Sequence, residues 1–154
     1  MISNYKLDKS FGAVGTSAGL FLFIAGVILS FFYFSGWILI LIGAFVGFTS
    51  TSTLIDDEKK RIRFSNNIFG IIKTGKWINI ESDMKLGVRK SEVTWRAYGT
   101  SNQAIDDVKK DFRLILFDGD HKEIMQIMKL KTLDEANLEV WKQSERLGLS
   151  IFGL

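Results

Sequence analysis

Lys59, Lys60, Arg61 and Arg63 stand within five positions of one another, and cations gathered so closely select anions. On a strand Lys59, Arg61 and Arg63 would share one face, with Ile62 and Phe64 on the other. An anionic lipid headgroup is the ligand such a face could take. Asp56, Asp57 and Glu58 lie in the same turn and would oppose it. Positive charge beside an apolar segment also marks membrane orientation without any ligand, and that is the simpler reading. A second basic face is formed by Lys85 and Arg89, near Lys90, and by Arg96 if Val93, Trp95 and Ala97 point inward on their strand. Basic side chains of this kind attract an anionic leaflet by about 1 kcal/mol each.

Other chemistries find little to work with. Of the 20 Lys/Arg and 17 Asp/Glu, only Lys6, Lys9 and Asp8 precede Asp56, so the rest of the chain carries 18 and 16, a net of +2. That is no cationic funnel for nucleic acid, which is excluded as a partner. His121 is the one histidine and stands in an expected hairpin turn. There is no cysteine, hence no thiol nucleophile and no sulfur metal site. Asp106-Asp107 and Asp118/Asp120 read as solvated loop carboxylates, and no Gly-rich phosphate loop is present. The expectation is a protein that is not an enzyme, with no cofactor and no metal.

The elements that must position these residues begin with 46 uncharged residues, Ser10 to Ile55. As one helix they would reach about 69 Å, more than twice a hydrocarbon core of ~30 Å, so the run must fold back. Ser35-Gly36 is the natural break. Residues 1–10 then form a cytoplasmic N-terminal segment, and 11–53 a transmembrane hairpin of two spans, about 11–34 and 37–53. The second ends in Thr49-Ser50-Thr51-Ser52-Thr53, whose weak helix propensity could lead into a strand. Phe31 to Phe34 and Trp37 crowd the turn as an interfacial aromatic belt would. Lys6 and Lys9 before the hairpin and Lys59 to Arg63 after it place both ends in the cytoplasm. The run is too long for a cleaved signal peptide, and neither span shows the polar face of a soluble hairpin.

Each span carries a pair of glycines four apart, Gly15/Gly19 and Gly43/Gly47. Counted from the Ser35-Gly36 turn, the pairs lie at different depths. Gly26 is then expected to meet Gly43 and Gly47, leaving Gly15 and Gly19 for a second chain or for nothing. Another membrane protein, or a second copy, is thus an expected partner beside membrane lipid.

Residues 54–154 change character. Period-two runs at Arg61–Phe64, Lys76–Ile80, Met84–Arg89, Val93–Tyr98, Phe112–Phe117 and Glu123–Leu130 read as strands, with a polar loop at 99–103. Asp118-Gly119 marks a hairpin turn. Thr132 and Glu135 form a capping box for a helix over 133–147, whose Leu133, Ala136, Val140 and Leu147 share one face with Trp141 at its edge. Gly148 supplies the stop. Trp77, Trp95 and Trp141 are expected mostly in the core. The fold class is a membrane α-helical hairpin plus an α+β domain of about seven antiparallel strands closed by one C-terminal helix.

That order resembles small bacterial membrane proteins with two transmembrane helices and a pleckstrin-homology-like (PH-like) domain. The likeness is carried by Ser52-Thr53-Leu54-Ile55-Asp56, Lys59-Lys60-Arg61-Ile62-Arg63-Phe64, Phe69-Gly70-Ile71 with Gly75-Lys76-Trp77, and the C-terminal helix. Lys59 or Lys60 followed by Arg61-Ile62-Arg63 is also similar to the basic triplet of phosphoinositide-binding PH domains. The resemblance implies a seven-stranded barrel-like sandwich, anchored in a bacterial inner membrane. It implies function only loosely, since folds do not dictate it. The expected role is a membrane-anchored binding module, an accessory or scaffold subunit holding a protein partner. A lipid-surface sensor acting through Lys59–Arg63 is the alternative.

Overall fold

Glycine decides where the two apolar helices meet. In the computed structural model, which describes residues 1–98 and 104–153, α1 spans Gly12–Ser30 and α2 spans Gly36–Phe48. Their buried residues are all glycines: Gly19 and Gly26 in α1, and Gly36, Gly43 and Gly47 in α2. A Cβ on Gly26 would stand 2.6 Å from the Ile40 nitrogen, and one on Gly19 or Gly43 would strike the backbone of Gly47 or Phe23. Small residues let the backbones touch, and the large side chains turn outward.

This corrects the expected pairing, because Gly19 meets Gly47 and not a second chain. A depth counted from Ser35 misplaces the pairs, because α1 ends at Ser30 and residues 31–35 are spent in turns. Counted from the helix ends, Gly19 lies 11 residues before Ser30 and Gly47 lies 11 after Gly36, so the two are level. Gly26 faces Leu39 and Ile40 by the same count. Gly15 stands apart, its added Cβ meeting only Phe11.

With 19 residues α1 is about 28 Å long, and it is apolar enough to cross a bilayer. With 13 residues α2 reaches only about 20 Å. Its expected extension to residue 53 is lost at Thr49, whose φ of −67° and ψ of 131° are extended. From there the hydroxyl-rich, β-branched run becomes strand β2 (Ser50–Asp56).

Residues 1–10 are more than a segment ahead of the hairpin. Strand β1 (Ile2–Lys9) pairs antiparallel with β2, from Ile2 opposite Asp56 to Lys9 opposite Ser50. β3 (Arg61–Ile68) lies on the other side of β2, and β4 (Ile72–Thr74) and β5 (Ile78–Asn79) both pair with β3. The helical pair is thus inserted between two neighbouring strands of one sheet. Met1–Asn79 form one compact unit and Ile80–Leu154 another, so the division falls at 79/80 and not at 53/54.

The β3–β4 connection has three residues, Phe69 to Ile71, between the paired Ile68 and Ile72. Phe69 and Gly70 have φ of 54° and 73°, and the Ile71 amide donates to the Ile68 carbonyl at 3.2 Å. Phe69 and Gly70 are thus central to a turn with positive φ at both, where asparagine or glycine is usual and phenylalanine is strained.

In the second unit β6 (Lys85–Tyr98) and β7 (Ala104–Phe117) form a long antiparallel ribbon. The runs at 84–89 and 93–98 are therefore one strand. β8 (Glu123–Leu130) pairs with β7, and β9 (Ser150–Ile151) runs parallel to the start of β6. Helix α3 (Leu133–Leu147) has the expected bounds. Thr132 Oγ1 accepts the Glu135 amide at 3.2 Å, Glu135 accepts the Lys131 amide, and Gly148 ends the helix in the left-handed region. Ala136, Val140 and Leu147 are buried with Leu86, Leu114 and Leu116.

The architecture is helices plus two sheets, an α+β chain. It is not the closed seven-stranded barrel that the resemblance implied. Nine strands among the described residues pair as β1-β2-β3-β4, with β5, and as β8-β7-β6-β9. Neither order returns its last strand to its first.

Candidate functional site

The basic turn is occupied by its own neighbours. Arg61 stands opposite Asp56 in the β2–β3 register, and its Nε donates to Asp56 Oδ2 at 2.9 Å. The Lys59 amide donates to the other carboxylate oxygen at 3.4 Å. Burial pushes the Asp56 carboxyl up, but the hydrogen bonds and charges of Arg61 and Lys59 pull harder and hold it below its ordinary value. Gly75, with φ of 121°, passes so close to the Phe64 carbonyl that no side chain fits there. That close crossing brings in Trp77, whose ring lies 4.5 Å from the Arg61 guanidinium carbon and 4.7 Å from that of Arg63. Trp77 is half-buried under two cations and is not a core residue. Lys59 and Lys60 remain exposed, and their side chains have no ion pair among the described residues.

The second basic face is matched in the same way. Register puts Lys85 and Arg89 on one face, with Lys90 on the other. Lys85 Nζ lies 2.9 Å from His121 Nε2, Arg89 pairs with Glu123 at 2.7 Å and Lys90 with Glu92 at 2.7 Å. His121 sits in the expected turn with φ of 63° and its ring against Phe152. The side chains of Arg96, Val93, Trp95, Ala97, Asp106 and Asp107, and the loop 99–103, lie outside the described residues. Sequence reading missed the buried Asp111, which takes Arg113 Nε at 3.0 Å and Lys129 Nζ at 2.8 Å. Burial raises that carboxyl and the two cations lower it further, below its ordinary value. Among the described residues no three His, Asp or Glu side chains gather as a metal would require.

A different cationic place emerges at the hairpin end of the first sheet. One row of the sheet crosses four strands: Lys9 opposite Ser50, Ser50 opposite Asn67, and Asn67 opposite Lys73. Paired residues point to one face, so two ammonium groups flank a hydroxyl and an amide over about 14 Å. Asn67 is buried and held by Ser52, which accepts its Nδ2 at 2.9 Å. Lys6, opposite Ser52, adds a third cation in the next row. Above this floor opens a groove of about 550 Å³ whose apolar wall is Phe48, Phe69 and Ile71. Asp8 also lines it. Its backbone is tied to Thr51 Oγ1.

No family model, curated protein or solved structure matches this chain.

The sequence held a signal for the groove in the alternation of Tyr5-Lys6-Leu7-Asp8, but Lys6 and Lys9 were read only as orientation markers. The second unit offers an apolar surface instead. On α3, Leu138 is 70% exposed and Trp141 56%, three residues apart on an otherwise charged helix. Trp141 is thus a surface residue, where the core was expected. A shallow groove of about 320 Å³ lies beside the helix, lined by Val88, Phe112, Leu133 and Asn137.

Proposed function

We propose that this chain is a membrane-anchored binding module that presents its α3 surface to a protein partner at the cytoplasmic face, as an accessory or scaffold subunit. The hairpin is the anchor, lodged in a bacterial inner membrane with both ends inside. Its support is the inverted packing of α1 and α2, with glycines inside and Phe21, Ile24, Ile28, Ile38 and Leu41 outside. Water would drive those side chains into contact, whereas lipid leaves them exposed at no cost. Lys6, Lys9 and the Lys59–Arg63 cluster agree with that orientation.

The observation that carries partner binding is the exposed Leu138–Trp141 pair, since apolar side chains grouped on a charged helix mark a contact surface. Lipid sensing through Lys59, Lys60, Arg61 and Arg63 is the weaker reading, because Arg61 and Arg63 already hold Trp77 and Asp56. The test is a photo-crosslinking residue at Leu138 in the full chain, in native membranes, with the same residue at exposed Lys110 as control. A single protein adduct from 138 that disappears with Trp141→Ala supports the reading. No adduct, or equal adducts from both positions, ends it.

A further inference from the structure

We propose that the groove at the base of the helical hairpin binds the headgroup of an anionic phospholipid, with Phe69 and Ile71 entering the apolar layer beside α2. The inference rests on the hairpin being in lipid. Three observations independent of that reading converge on the same place.

The first is charge. Lys6, Lys9 and Lys73 are exposed, line one groove and carry no side-chain ion pair or hydrogen bond among the described residues. Every described cation of the second basic face has such a partner. Asp8 subtracts one charge, leaving the groove net positive. The second is the donor row. Ser50 stands in that row beside Lys9, so a phosphate there would meet a hydroxyl donor as well as charge, while Asn67 is held inward by Ser52. The third is the strained turn. Phe69 is kept at positive φ while its ring stacks edge-on against Phe45, 5.7 Å between centroids, and its amide donates to Thr49 Oγ1 at 3.3 Å. Phe45 lies one turn inside α2 and itself meets Phe11 at 5.5 Å. The turn therefore sits against the apolar helices, and next to it Ile71 is 81% exposed. An exposed isoleucine beside a lysine-rimmed groove at the foot of an apolar hairpin matches the two halves of a phospholipid, acyl chain and headgroup. A free phosphate would use the lysines and leave Phe69 and Ile71 without a role.

The chain has no cysteine, so a single Ile71→Cys can carry a fluorophore in the full-length protein. The protein is placed in phosphatidylcholine vesicles containing a minor fraction of phosphatidylglycerol, with bromine on the acyl chains of one lipid or the other. Strong quenching by brominated phosphatidylglycerol at low fraction, with far less by brominated phosphatidylcholine at the same fraction, is the expected result. Replacing Lys6, Lys9 and Lys73 by glutamine should raise the half-quenching fraction by about tenfold or more, at roughly fivefold per lysine near an anionic surface. Replacing them by arginine should not. Equal quenching by both lipids, an unchanged half-quenching fraction in the glutamine variant, or relief of quenching by inorganic phosphate would each overturn the proposal. A second label at Phe32→Cys separates the two readings. Quenching at 32 without lipid preference at 71 sinks the groove alone, while no quenching at 32 sinks the membrane anchor with it.

Discussion

Thr49 Oγ1 accepts the Phe69 amide at 3.3 Å, joining the residue that ends α2 to the turn between β3 and β4. The helix stop and the strained turn are therefore one joint. What Phe69 gives up in backbone conformation it regains against the helix.

Phe69→Asn separates those two contributions. Asparagine suits the left-handed position and relieves strain of about 1–3 kcal/mol, while the lost ring contact with Phe45 is worth about 0.5–1.5 kcal/mol. Global stability should therefore hold or rise slightly, while the 69 amide loses protection in hydrogen exchange. A large fall in the unfolding midpoint, with that amide still protected, would contradict the account of the turn.

Gly43→Ala should be costly out of proportion to one methyl group. Its Cβ would run into the Phe23 backbone, which cannot swing away as a side chain can. Forcing α1 and α2 apart should cost about 1–3 kcal/mol or more. Ala18→Val, at an exposed position of α1, should cost less than about 0.5 kcal/mol. Thermal unfolding in detergent compares the two. Equal effects would show that the seam is not where the glycines lie.

Acid should weaken both units. Asp56 and Asp111 each titrate below the ordinary carboxyl value of 3.8 because, despite burial, Arg61 and the pair Arg113 and Lys129 favour their charged forms. A lowered native pKa stabilises the fold above the unfolded value and loses that contribution as pH falls through the native value. Stability should thus be level above about pH 5 and decline below about pH 4. Asp56→Asn and Asp111→Asn should each lower stability at pH 7 and flatten that decline, as read by denaturant titration across the range. A wild-type curve without the acid decline would remove the ion pairs from the account.

Thr132→Ala removes the oxygen that accepts the Glu135 amide. The loss should be about 1 kcal/mol, and Thr132→Ser should recover most of it. If alanine and serine behave alike in thermal unfolding, the cap contributes nothing.

Features confined to a few neighbouring residues could be read from the chain alone. The Thr132–Glu135 box with Gly148 and the Asp118-Gly119 turn each act over a few positions, the charge-free run is continuous in the chain, and α3 and β8 appear with the bounds expected of them. Register and partnership could not be read, because hydrogen bonds between strands carry no mark of which distant segment supplies the other half. β1 finds β2 across the whole hairpin. Gly19 finds Gly47 only once the true end of α1 is known. The candidate sites divide in the same way. The cations at Lys59 to Arg63 were conspicuous in the sequence, yet Trp77 and Asp56, delivered by the fold, occupy two of them. Lys73 lies far along the chain from Lys6 and Lys9 and joins them in one groove only because antiparallel pairing aligns Lys9, Ser50, Asn67 and Lys73 in a single row.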